Sequence, residues 1–213
     1  MKLKKLVLLC SLVLGLVPLS KGQNIRGSSH DFTTKTQYNT TGELCIVCHA
    51  PHGTDPTAVP LWNHNITSQI FSTYIGYKFP TRGGLSITQP DGASKLCLSC
   101  HDGVSAINQF GGMMQGTSAA PQPLTTNDRI GTDLTNDHPI SFVYNTTLAL
   151  LDGQLHDPST TPSSLGGTIA TDMLDINSKL QCPSCHEVHD QTISKFLKMS
   201  NSASALCLTC HAK

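Results

Sequence analysis

The chain has 213 residues, with Lys+Arg 14 balanced against Asp+Glu 14. Charged residues make up 13%, against roughly 25% in ordinary globular proteins. A charge this sparse and balanced leaves no basic surface for nucleic acid. Apolar residues make up 38% and are scattered among Thr, Ser, Asn, Gly and Pro, so the periodic runs of a conventional core are missing and something else must fill the interior.

Taken in chain order, the sequence opens with a basic stretch, Met1-Lys2-Leu3-Lys4-Lys5, followed by an apolar run from Leu6 to Leu19 and the small residues of Ser20-Lys21-Gly22. This reads as a secretory signal peptide of residues 1–22, with Cys10 lost on cleavage and the mature chain starting at Gln23. The run is short for a membrane span, and no later apolar stretch is long enough for one. A secreted protein is therefore expected, extracellular or at the cell surface, with the periplasm as the alternative.

Residues 23–110 carry the motifs Cys45/Cys48/His49 and Cys97/Cys100/His101. Between them lies an aromatic segment from Leu61-Trp62 through Phe71, Tyr74, Tyr77 and Phe79, in which Ile66, Ile70 and Tyr74 have helical spacing and predict a short helix. Residues 111–180 form a Gly-, Pro- and Thr-rich connection expected to be irregular. Its most ordered stretch should be Asp137-His138-Pro139-Ile140-Ser141-Phe142-Val143-Tyr144, extended at His138 because proline follows it. Residues 181–213 carry Cys182/Cys185/His186 and Cys207/Cys210/His211, joined by a connection from Asp190 to Ala205 predicted as one short helix bearing Ile193, Phe196 and Leu197.

All eight cysteines after Cys10 thus fall in Cys-x-x-Cys-His, the attachment motif of c-type haem. The spacing has a physical reason. Positions i, i+3 and i+4 share one face of a helical turn, so two thiols can add to the porphyrin vinyl groups while the histidine reaches the iron. Zinc or disulfides would use the thiols but have no need of a histidine after every second cysteine. The expected cofactors are four covalently bound haem c groups, and the expected fold is mostly irregular, with short α-helices and minimal β, a multihaem cytochrome c wrapped around four haems.

The motifs form two doublets. The first and third carry a further histidine three residues on, in Cys48-His49-Ala50-Pro51-His52 and Cys185-His186-Glu187-Val188-His189. The second and fourth match each other as Leu-Cys-Leu-Ser-Cys-His and Leu-Cys-Leu-Thr-Cys-His. Of ten histidines, His49, His101, His186 and His211 are the proximal candidates. His30, His52, His138 and His189 are the distal ones, with His64 and His156 in reserve. His52 and His189 stay on the proximal side of their own haem and must serve a neighbour, and Asp31 is placed to orient His30. Bis-histidine iron has no open position for a substrate, which favours an electron-transfer protein over an enzyme.

With Cys-x-x-Cys-His-x-Pro-His-Gly followed by Leu-Cys-Leu-Ser-Cys-His-Asp-Gly, the chain resembles multihaem cytochromes with doubled CxxCH motifs. The order of Gly-Ser-Ser-His-Asp-Phe, Pro-Leu-Trp-Asn and Asn-Asp-His-Pro-Ile-Ser-Phe is similar to that in the OmcE-type tetrahaem nanowire cytochromes. The resemblance implies a head-to-tail homopolymer with one sixth ligand donated across the interface, and by position His30 would be that ligand. Partners would then be copies of the chain, other redox proteins or an extracellular electron acceptor. A monomeric periplasmic shuttle is the alternative, and a multihaem reductase or its electron-donating subunit a further one. If haems replace the core, the chain made without haem-attachment machinery should be largely unfolded by circular dichroism; a compact apo form melting cooperatively would contradict this prediction.

Overall fold

The computed structural model describes residues 24–54, 61–74 and 88–212. The expected signal segment with Cys10, and Tyr77 and Phe79 of the aromatic segment, lie outside the described residues. Five short helices are present among them: α1 (Gly92–His101), α2 (Thr146–Asp152), α3 (Ile169–Met173), α4 (Cys182–Cys185) and α5 (Ala205–Cys210). Strands β1 (Gln109–Phe110) and β2 (Met113–Met114) pair antiparallel, as do β3 (Phe142–Val143) and β4 (Lys179–Leu180). The remainder is turn and loop. No helix among the described residues is long and apolar enough to cross a membrane.

Local chemistry explains where the helices start and stop. The Asn145 side chain accepts from the Leu148 amide at 2.9 Å, and Gly153, at φ +72°, closes α2 in a left-handed turn. Thr168 and Thr171 form a reciprocal capping box at the start of α3. Pro183 sits in the first turn of α4, where its missing N–H costs nothing.

Three small clusters make up the apolar interior. The largest gathers Tyr144, Leu148, Ala149, Ile169, Met173, Leu180, Leu206 and Cys210. A second holds Phe32, Val47, Ile107 and Phe110, and a third Phe71, Leu98 and Leu134. Ile140 packs against both the first and the third. The connecting region is therefore not simply irregular, because α2 and α3 supply much of the packing around the second doublet.

Two predicted helices are absent. Residues 66–74 run extended, with Phe71 buried and Ile70 80% exposed. Distant side chains satisfy the backbone here: the Thr67 amide donates to Ser99 Oγ at 2.9 Å, and the Gln89 amide group bonds both N and O of Phe71 at 2.8 Å. The 190–205 connection forms only two 3-10 turns, Ser194–Phe196 and Ser202–Ser204, broken by positive φ at Lys195, Phe196, Ala203 and Ser204.

A buried polar network joins the two doublets. Gln181, 3% exposed, accepts from Ser94 Oγ at 2.5 Å and Ser141 Oγ at 3.1 Å, and donates to Asp91 and Asp175, each at 3.1 Å. Ser94 Oγ also accepts from the Cys182 amide at 2.9 Å, and Lys179 pairs with Asp91. These bonds hold α1 against α4. Replacing Ser94 by Ala would strip the Cys182 amide of its partner and leave Gln181 Oε1 with Ser141 alone, which costs roughly 1–3 kcal/mol. The predicted outcome is a lower denaturation midpoint for the Ser94→Ala holoprotein, and an unchanged midpoint would count against this network as a stabilising tie.

Candidate haem-attachment and iron-ligand sites

Each Cys-x-x-Cys-His motif occupies one helical turn. The His49 amide donates to the Cys45 carbonyl at 2.7 Å, that of His186 to Cys182 at 3.2 Å, and that of His211 to Cys207 at 3.0 Å. His101 is the last residue of α1, which contains Cys97 and Cys100. The i to i+4 closure sets both sulfurs and the imidazole of each motif along one side of the turn. All eight cysteines are free thiols. Burial pushes the Cys48 and Cys210 thiols up to about 11. Among the described residues, no group of His, Cys, Asp and Glu side chains converges to hold a metal ion by itself.

The sequence doublets also repeat in backbone geometry. His49 bridges Trp62, with the Ala50 amide on the Leu61 carbonyl at 3.1 Å and the Asn63 amide on the Cys48 carbonyl at 2.9 Å. His186 bridges Leu197 in the same pattern, with Glu187 N on Phe196 O at 2.7 Å and Lys198 N on Cys185 O at 2.9 Å. Leu61 and Phe196, at equivalent places, both have positive φ, +50° and +57°.

Six of the eight predicted iron ligands come together in pairs drawn from distant parts of the chain. The His30 and His101 rings lie 6.0 Å apart between centroids, His49 and His189 6.2 Å, and His138 and His211 6.3 Å. Two metal–imidazole bonds of roughly 2 Å plus the distance from each nitrogen to its ring centre account for such a spacing. Four of the ligand candidates have Nδ1 occupied by an oxygen. That of His101 faces the Asp128 carbonyl at 2.8 Å, that of His138 the Pro139 carbonyl at 2.9 Å and that of His186 the Lys195 carbonyl at 2.9 Å, while His189 Nδ1 faces Glu187 Oε1 at 3.1 Å. Holding Nδ1–H this way leaves Nε2 for a metal.

His30 is half-buried against Phe196, with ring centroids 4.8 Å apart, and desolvation with the neighbouring His101 lowers its pKa to about 4. A neutral imidazole is the form that binds metal. Its position against His101 of the same chain departs from the expectation that His30 reaches a neighbouring subunit. Asp31 does not orient it either: the carboxylate accepts from the Gly27 amide at 2.7 Å and from the amide and hydroxyl of Thr33. Glu187 plays the orienting part for His189 instead, and its place inside the third motif's His-Glu-Val-His run was the available signal.

His52 and His186 are not paired. Both are exposed, and among the described residues no second histidine ring faces His186. The reserve candidate His64 has both ring nitrogens engaged, Nδ1 with Asn65 O at 2.8 Å and Nε2 with Ile107 O at 3.2 Å, so neither is available to iron. His156 joins none of the pairs.

The donor set fits c-type haem. Paired thiols sit beside an imidazole in each motif, opposed imidazoles leave room for a metal between them, and the Trp62 indole N–H is buried without a hydrogen-bond partner, a donor suited to a porphyrin carboxylate. A family model described as the doubled CXXCH motif matches residues 176–213, the second doublet. No curated protein matches the chain. The family match supports a multihaem c-type cytochrome with covalently attached haem, and with it electron transfer. The holoprotein is predicted to yield four haems per chain by pyridine haemochrome, and Cys182→Ser/Cys185→Ser three; an unchanged count in the double variant would show that α4 attaches none.

Proposed function

We propose that the protein is a tetrahaem electron-transfer cytochrome, acting outside the cytoplasm, whose copies join head to tail into a conducting filament. The observation that carries this reading is the pattern of histidine pairs. Six imidazoles meet two by two within the chain, while an exposed proximal residue, His186, and an exposed distal one, His52, are left over. If each of four irons takes two histidines, His186 needs a partner and His52 needs an iron.

His52 of one copy closing the iron at His186 of the next satisfies both. The two surfaces differ, so the contact is heterologous and generates an open polymer. Iron closed on both faces by imidazole has no site for a substrate, which supports electron transfer over catalysis. The sparse, balanced charge is compatible with close stacking of identical subunits.

Electron microscopy of the haem-loaded protein, with visible absorption of the same sample, tests this reading. His52→Ala should convert filaments into discrete particles and turn one low-spin iron in four high-spin in the absence of added imidazole. Filaments of His52→Ala with every iron low-spin would remove His52 from the interface. Discrete particles in the unsubstituted protein, all low-spin, would favour the monomeric shuttle.

A further inference from the structure

His64 has no part in the iron-ligand pairs, yet it is 3% exposed and lies in the first doublet. Both of its ring nitrogens face main-chain carbonyls, Asn65 O at 2.8 Å and Ile107 O at 3.2 Å. A neutral imidazole has one N–H, so it can donate to only one of them and turns a lone pair toward the other. An imidazolium donates to both. The hydrogen bonds therefore favour the protonated ring, and burial in a weakly polar site favours the neutral one.

The surrounding groups keep this balance close. His64 Nε2 lies 3.6 Å from Cys100 Sγ, one of the two sulfurs by which the second motif holds its haem. As a thioether that sulfur no longer titrates. Asp102, at the end of α1, is the charged residue acting on the ring, and its carboxylate accepts from Thr67 Oγ1 at 2.7 Å, Val104 N at 2.8 Å, Ser105 N at 2.7 Å and Ser105 Oγ at 2.6 Å. Those bonds hold it ionised, below the usual carboxylate range although burial opposes them. Two further titratable residues lie nearby: His49 touches the same Trp62 ring that His64 touches, and Cys48 acts on Cys100. Burial holds His64 below its ordinary pKa, opposed by the carbonyls and Asp102.

We propose that His64 is a proton-binding site coupled to the haem on Cys97 and Cys100: as that haem takes one electron from a one-electron donor, His64 takes one proton from water. The proposal rests on the haem reading above. The balance is simple. One electron enters the haem, one proton forms an N–H bond with the imidazole lone pair, and the local net charge is unchanged. Oxidation releases both. The electron's negative charge, arriving beside Cys100 Sγ, raises the affinity of His64 for a proton. By linkage the potential of this haem then falls as pH rises, over the interval from the pKa of His64 in the oxidised protein up to its higher value in the reduced protein.

Spectroelectrochemical titration of the holoprotein across roughly pH 4 to 8 tests the coupling, after pyridine haemochrome has established the haem count. One haem should show a slope approaching about 59 mV per pH unit, a tenfold change in proton activity for one electron. His64→Gln, which cannot titrate, should flatten that slope while the haem count and low-spin spectrum stay as in the parent. A slope that survives in His64→Gln, or its absence from every haem of the parent, overturns the proposal with the haem reading intact. A protein without haem on Cys97 and Cys100 overturns both. Should His64→Gln fail to load haem, redox-difference infrared spectra of the parent with labelled histidine decide: imidazolium formed on reduction supports the proposal, and its absence overturns it.

Discussion

One hydrogen bond, from the amide of the motif histidine to the carbonyl of the first cysteine four residues earlier in three of the motifs, with the last turn of α1 in its place in the other, governs how the chain is arranged. It closes a single helical turn and sets two sulfurs and an imidazole along one side, where they would meet one face of a flat group such as haem. A ligand for the opposite side must then come from elsewhere, because a turn cannot reach around the plane it holds. The long-range pairs follow from this. His101 meets His30 near the start of the described chain, His49 meets His189 from the other doublet, and His211 meets His138 from the connection.

The protein part alone is thinly built. Its apolar clusters are small, and much of what joins them is polar: Gln181 with Ser94, Ser141, Asp91 and Asp175, and Asn108 tied to three main-chain carbonyls. Such bonds fix direction more than they add stability, since each replaces a bond to water. Close backbone approach does similar work at Gly116, φ +81°, where a Cβ would lie 2.2 Å from the Gln37 carbonyl oxygen. A covalently held apolar group at each motif would compensate for the missing core and reconcile the low apolar content of the sequence with a defined fold.

The attachment chemistry was legible because it is local: four Cys-x-x-Cys-His turns, their grouping in doublets and the loop-rich character can all be read within a few residues. The doublet similarity even extends to backbone bonds around Trp62 and Leu197. What failed were local readings that distant partners override. Ile66, Ile70 and Tyr74 have helical spacing, yet Ser99 and Gln89 take the backbone bonds of Thr67 and Phe71 and keep the segment extended. His30 near a chain end suggested a free arm, whereas its ring is stacked on Phe196. No local signal marks His64 as buried between two carbonyls, since the residues that surround it arrive from 36 and 43 positions away.

Trp62 bridges His49 through the backbone and meets its ring edge-on at 6.0 Å. It is also the single tryptophan of the chain. A haem attached at the first motif would therefore lie beside the strongest ultraviolet emitter in the molecule. Haem accepts excitation energy over distances far longer than a contact, so indole emission is expected to be dark in the loaded chain and bright in the chain made without haem, and the purified protein reports its own loading without a label.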